Sequence, residues 1–305
     1  MKKATVILIA TLAMAFCTTP DELPHILVQE WGVITWDGED PVVSSAPEDQ
    51  ILFPIGPGDT DPEGYAVRAP VLYFNGPEFT GTVTVSTDNG SIFDIYPSVL
   101  DENRTHSSVV WNCSFSNQQV EAYGDYRGMA PGEWNYELWR IDPALTITCE
   151  NGWQDKFLYY ETAPETVDFL PYLPGAESVC DEYQDIPALV IKRRSDGVFF
   201  SECTLSELVY GGDLNYADVS PDALMNVLYG WSAGILEPEQ MDALWRTWSS
   251  WILYNHSGQR LYENGMILYL VPEDLTRRIS TITVEPEETE FPVDLHRYLL
   301  VALPL

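Results

Sequence analysis

Hydrophobic positions recur along this chain at two periods. Between residues 220 and 254 the spacing is helical, and almost everywhere else it alternates. Ser220 suits an N-cap and Pro221 the first helical position, where its missing N–H costs nothing. Leu224, Val227, Leu228 and Trp231 then fall on one helical face. Gly234 suits the left-handed residue that ends a helix, and Pro238 restarts the pattern, with Glu237 and Glu239 at the favourable end of the new dipole. Met241, Leu244, Trp245, Trp248, Trp251 and Ile252 form a second stripe, with Asp242 and Arg246 spaced for an ion pair on its polar side. The pattern predicts an antiparallel helical pair whose tryptophans pack on a sheet.

The rest reads as strands. Residues 25–36, 67–74, 79–87, 91–96, 109–115, 134–141, 144–149 and 156–161 carry β-branched and aromatic text between Gly, Pro and Asp turns. In 79–87, Phe79, Gly81, Val83 and Val85 alternate with Thr and Ser, and Asp88-Asn89-Gly90 predicts a hairpin with the strand 91–96. A second hairpin joins 187–193 to 198–205 through 195–197, and strands at 260–271, 279–284 and 295–302 close the chain. The expected fold is mainly β, sandwich-like, with a helical hairpin in the C-terminal half, α+β overall. The expected division is a β-sandwich-like domain at 26–164 and a sheet unit carrying the hairpin at 165–305.

Residues 1–17 read as an export signal: Lys2 and Lys3, an apolar run, then small residues. Two processing routes fit. Ala13-Met14-Ala15 suits ordinary signal peptidase, whereas Cys17 suits the lipidated first residue of a lipoprotein, followed by a short tether to residue 25. There are 5 cysteines, an odd number. With Cys17 set aside, Cys113, Cys149, Cys180 and Cys203 allow three pairings, and sequence proximity favours Cys113–Cys149 with Cys180–Cys203. The formal charge of −32 repels phosphate backbones and anionic headgroups. No nucleic-acid partner is expected, and no membrane contact beyond a lipid at Cys17.

Candidate chemistry is sparse. Gly230-Trp231-Ser232-Ala233-Gly234 matches the nucleophile elbow of α/β-hydrolases, but helical text precedes it where that elbow needs a strand. His25, His106, His256 and His296 lack metal-ligand spacing. The acidic loop 37–64, with Asp37, Glu39, Asp40, Asp59 and Asp61, offers oxygen ligands for Ca²⁺, the one cofactor considered, without the regular spacing of a calcium loop. Acids beside aromatics suit sugar binding, which singles out Glu30 with Trp31, Glu133 and Glu137 around Trp134, and Tyr73 on a neighbouring strand. Arg68, entering an apolar strand, needs a carboxylate, and Glu30 is the expected partner.

The segments EWGVITW, VRAPVLYF with the following IFDIYP, DKFLYYE, PALVIKRRSDG, EQMDALWRTWSSW and LYLVPEDLTRRISTITVEP together resemble a family of exported bacterial proteins of uncharacterised function. Trp31 stands where that family has histidine, and Glu161 stands where an arginine usually follows. The resemblance implies an envelope location, as a lipoprotein, a periplasmic or a secreted protein, and a mixed β fold. The expected function is non-catalytic binding of a glycan, an envelope protein or Ca²⁺. The alternative is a secreted hydrolase working through carboxylates or, less readily, Ser232.

Overall fold

A computed structural model describes residues 24–36, 65–88, 90–120, 136–165, 169–173, 178–212, 214–218, 220–255, 262–287 and 291–305. The fold is mainly β, with two sheets and four helices among these residues. In chain order the strands of the first half are β1 (Ile26–Trp36), β2 (Tyr65–Asn75), β3 (Phe79–Ser86), β4 (Gly90–Tyr96), β5 (Ser108–Ser116), β6 (Thr146–Cys149), β7 (Gln154–Asp155) and β8 (Leu158–Pro164). The second half supplies β9 (Pro187–Arg194), β10 (Gly197–Thr204), α1 (Leu205–Tyr210), β11 (Ala217–Asp218), α2 (Pro221–Trp231), α3 (Pro238–Tyr254), β12 (Gly265–Leu270), α4 (Glu273–Thr276), β13 (Thr281–Pro286) and β14 (Val293–Pro304). No helix among the described residues is long and apolar enough to cross a membrane.

The larger sheet runs β11-β10-β9-β12-β14-β1-β2-β8-β4 and the smaller β13-β3-β5-β6-β7. Every pairing is antiparallel except β1 with β14. These two central strands are covered on both faces, so β1 is buried along nearly its whole length, polar Gln29 and Glu30 included. In β5, by contrast, Val109, Trp111, Cys113 and Phe115 point inward and alternate with partly exposed residues, as a one-faced strand should. Helices α2 and α3 cover one face of the large sheet. The small sheet covers part of the other face through Val28, Leu72, Phe74 and Tyr160, and the segments around α1 and α4 close the remainder.

The expected division at residue 165 marks no boundary in this pairing. β1 lies between β14 and β2, and β13 joins the small sheet beside β3. The hairpin expected at Asp88–Gly90 does not form either: β3 pairs with β13 and β5, whereas β4 pairs with β8 in the other sheet. The turn reverses the chain and also transfers it between layers. Gly90 suits that crossing, because a Cβ there would sit 2.3 Å from the carbonyl oxygen of Ala163. The strand expected at 134–141 is corrected as well, since its described part is a single turn at Tyr136–Leu138 that buries Tyr136 and is followed by buried Trp139.

The helical pair forms as its spacing predicts. Ser220 Oγ accepts from the Ala223 N–H at 3.0 Å, Gly234 takes φ +79°, and the Glu237 N–H donates to Gln240 Oε1 at 2.8 Å. Trp245, Trp248 and Trp251 are buried against the sheet. The Asp242–Arg246 pair is absent, since Asp242 instead accepts the Tyr229 hydroxyl at 2.7 Å. Gln29 on β1 fastens the pair to the sheet, donating to the Ile235 carbonyl at 2.8 Å and accepting from Gln240 at 3.0 Å. At the far end Arg193 on β9 caps α3. It donates to the carbonyls of Trp251 at 2.8 Å and Leu253 at 3.1 Å, and also to those of Ile252 and Tyr262. Burial pushes its guanidinium down to about 10.

Cys113 and Cys149 stand opposite one another on β5 and β6 and form the expected disulfide, Cα–Cα 4.2 Å. The second expected bridge is absent: Cys180 and Cys203 are free thiols. Cys180 is exposed beside Glu182, while Cys203 lies on β10 with its thiol toward the Ala188 carbonyl. Nearness in sequence did not bring this second pair together in space.

Candidate functional site

The helix-side face of the large sheet is an aromatic floor running from Trp31 on β1 through Tyr73 on β2 and Tyr159 on β8 to Tyr96 on β4. Trp139 stands on this floor, 5.7 Å from Trp31 and 5.6 Å from Tyr159 between ring centroids. Polar groups gather at both of its ends. At one, Asp155 accepts the Tyr96 hydroxyl at 2.5 Å and two nitrogens of Arg140 at 3.0 Å. This forked pair ties the Tyr136–Leu138 turn to the sheet.

At the other end two ladders slip by a residue. β2 bulges between Val67 and Val71 where it meets β8, and β4 carries an extra residue between Ile92 and Asp94. The slips bring Arg68, Glu161 and Asp94 to one face. Arg68 Nη1 donates to Glu161 Oε2 at 2.9 Å, and Asp94 stands directly across the ladder from Glu161. The Ile95 N–H donates to Asp94 at 2.9 Å, and the Tyr159 hydroxyl lies 3.5 Å from its other oxygen. The Arg68 guanidinium lies 5.3 Å from the Phe93 ring centroid. Glu161 is buried, while Asp94 and Arg68 keep partial exposure.

Burial pushes the Asp94 carboxyl up to about 7, and the negative charge of Glu161 adds to the shift. The Ile95 N–H, the Arg104 charge and the Tyr159 hydroxyl pull the other way and are outweighed. A raised carboxyl value means that the folded chain holds a proton the unfolded chain has released. The stabilisation is therefore complete below pH 4 and drains away as pH rises to about 7. Asp94→Asn is expected to flatten this slope and raise stability at pH 8 by roughly 1–3 kcal/mol, allowing for partial solvent screening. Urea midpoints at pH 5 and pH 8 measure it, and an unchanged slope in the variant would refute the assignment.

The expected pairing of Arg68 with Glu30 is thus corrected. Glu30 lies on the opposite face of β1 from Trp31, and Arg68 follows the bulge onto the Trp31 side. Glu30 is instead fully buried and paired with Arg297 on β14. Arg297 also donates to the carbonyls of Thr276 and Ser280 at 2.8 and 2.7 Å and to Ser280 Oγ at 2.7 Å, and the Tyr160 hydroxyl donates to Glu30. Burial alone would lower the guanidinium's proton affinity, but Glu30 and Tyr160 more than restore it.

Trp31 and Tyr73 have no exposed surface and serve as floor, and burial pushes the Tyr73 phenol far above its usual range. Glu137 is exposed in its turn, away from any strand. Ser232 ends α2 with its hydroxyl donating to the Tyr229 carbonyl at 3.0 Å, which is a helix terminus and not a strand-to-helix elbow. Trp134 and Glu133, the loop acids Asp37, Glu39, Asp40, Asp59 and Asp61, Cys17 and His256 lie outside the described residues. Among the described residues no group of three His, Cys, Asp or Glu side chains is placed to hold a metal ion.

Comparison with protein-family models, with curated proteins and with solved structures returns no match. The site therefore rests on its own chemistry. Its two acids were legible in one respect. Asp94 and Glu161 interrupt the apolar strands IFDIYP and FLYYE, where an acid needs a reason. Glu161 takes Arg68 as its partner.

Proposed function

We propose that this is an exported, non-catalytic binding protein of a bacterial cell envelope, taking a neutral polyhydroxyl ligand of the glycan class at Arg68 and Asp94, with buried Glu161 holding Arg68 in place. The observation that carries the reading is the mixed hydrogen-bonding set at the bulged end of β2, β4 and β8. A carboxyl holding its proton to about 7 donates and accepts, and the guanidinium, oriented by the Glu161 carboxylate, donates. Such a set suits hydroxyl groups. It suits Ca²⁺ poorly, because a carboxyl that keeps its proton is a weak calcium ligand and the Arg68 guanidinium competes for the Glu161 carboxylate. The buried tryptophans leave hydrogen bonding as the grip in place of ring stacking.

Export is supported by the signal-like residues 1–17, by the resemblance to exported proteins and by the Cys113–Cys149 disulfide, which belongs to oxidising compartments. A lipid on Cys17 would hold the protein at a membrane surface. One observation favours a second reading, a carboxylate hydrolase. Asp94 and Glu161 are neighbouring acids in unlike environments, as in acid–base pairs. Against it, Glu161 is buried and pinned by Arg68, which blocks its access to a reacting atom.

A thermal-shift panel of cell-wall and storage glycans on the wild type, Asp94→Ala and Glu161→Gln tests the proposal. A ligand at 100 times its Kd stabilises by about 2.7 kcal/mol. The expected result is a glycan-dependent shift in the wild type that both variants lose. No shift with any glycan, or one undiminished in the variants, would sink it, and released sugar products would establish the hydrolase instead.

A further inference from the structure

Each sheet ends in two edge strands, and three of these four edges are protected. β7 and β11 are two residues long. The outer side of β4 is sealed, since its Ile92 N–H donates to the His106 carbonyl at 2.7 Å, and Arg104 donates to the carbonyls of Ile92 and Phe93. β13 is different. It is six residues, TITVEP, with β-forming Thr281–Val284, and among the described residues it pairs only with β3.

The register tells which of its backbone groups are free. The Glu287 N–H donates to the Thr80 carbonyl at 2.9 Å, so the odd-numbered residues of β13 bond to β3. On the other side of β3, the Thr87 N–H reaches the Ser107 carbonyl, which confirms the same parity. Ile282 and Val284 therefore direct their N–H and C=O groups outward, with no hydrogen-bond partner among the described residues. Proteins ordinarily cover, shorten or charge an edge of this kind.

We propose that β13 is a dimerisation edge, pairing antiparallel with β13 of a second copy of this chain. The sequence of the strand is self-complementary in that arrangement. A two-fold axis through Thr283 sets Ile282 opposite Val284 of the other copy, and the four free groups of each strand exchange four hydrogen bonds. The partly buried side chains of Ile282 and Val284 then lie on one face, extending the apolar side of the small sheet across the junction. The two Thr283 side chains meet on the exposed face, as threonine pairs favour.

Charge singles out a second copy as the occupant. Two chains of net charge −32 repel one another over most of their surfaces. Here, however, exposed Arg277 and Arg278 precede the strand, while exposed Glu285 and Glu287 sit at its end. Antiparallel pairing lays the arginine-bearing end of each copy beside the acidic end of the other. The general repulsion is screened beyond about 8 Å at physiological ionic strength, so association strengthens as salt rises from very low values.

Sedimentation of the full chain over a range of concentrations tests the proposal, which is independent of the glycan site. The expected result is a doubling of mass with concentration, lost in Val284→Pro, which removes an outward N–H that β3 does not use. The register has its own test in full-length chains carrying Cys180→Ser and treated with oxidised glutathione. Thr283→Cys is expected to give a covalent dimer, because residues facing each other at a non-hydrogen-bonded site are about 4.5 Å apart between Cα atoms. Thr281→Cys, set opposite Glu285, is expected to give no covalent dimer. A wild type that remains a monomer at every concentration overturns the proposal and leaves the edge to a foreign strand. Equal cross-linking at 281 and 283 overturns it as well.

Discussion

Glu30→Ala is expected to cost about 3–5 kcal/mol, the loss typical of removing one partner of a buried ion pair. Arg297 is almost wholly buried, its side chain only 3% exposed. Without Glu30 it keeps the carbonyls of Thr276 and Ser280 but loses the only full negative charge that the structure places against it, and the Tyr160 hydroxyl loses its carboxylate acceptor. Glu30→Gln, which keeps shape and an acceptor, is expected to cost roughly half as much. Glu30→Leu with Arg297→Met removes both charges and is expected to recover most of the loss, because two apolar groups of similar volume avoid the desolvation penalty. Urea unfolding of the three variants measures this series. If Glu30→Ala stays within about 1 kcal/mol of the wild type, the network is not a stability element. The pair also fixes the chain at Thr276 and Ser280, immediately before β13, so hydrogen exchange at 277–286 is expected to quicken in Glu30→Ala.

Arg193→Met is the second large effect, expected at about 3 kcal/mol. Four carbonyls at and beyond the end of α3 converge on this guanidinium. A helix leaves its last carbonyls without internal partners, and here a strand of the sheet supplies the missing donors together with a positive charge at the negative end of the dipole. Methionine keeps the apolar stem and removes all of the donors. In a chain of this length the loss lowers Tm by about 2 °C per kcal/mol, measurable by calorimetry. Arg193→Lys restores a charge but cannot reach four carbonyls with one ammonium, so it is expected to fall between the two. A methionine variant as stable as the wild type would mean that water satisfies the helix end equally well.

Local signals were legible wherever local physics decides. The Ser220 cap, the Gly234 turn and the tryptophan stripe of α3 follow from spacing alone, and so does the β9–β10 hairpin. Partners far along the chain were not legible. Asp88–Gly90 has the chemistry of a reversal, but which sheet receives each strand depends on β13 and β8, many residues away. Arg68 was recognisable as needing a carboxylate. Its choice of Glu161 over Glu30 depends on bulges, and a one-residue slip turns a side chain to the other face. Asp94 and Glu161 were passed over for Glu30, Glu133 and Glu137, because their juxtaposition is a matter of register. Cys113–Cys149 was recovered by proximity because β5 and β6 are neighbours, whereas Cys180 and Cys203 belong to segments that do not pair.

The parallel pairing of β1 with β14 also sets a timetable. Ile26 lies beside Val293, so the two strands at the centre of the large sheet come from opposite ends of the chain. Closing so long a loop is entropically costly, and no shorter segment offers β1 the same neighbour. As the chain emerges from a ribosome, β1 waits with one edge and much of its apolar surface open until β14 arrives. The large sheet therefore cannot close at its centre until both strands are available, however early its local hairpins form.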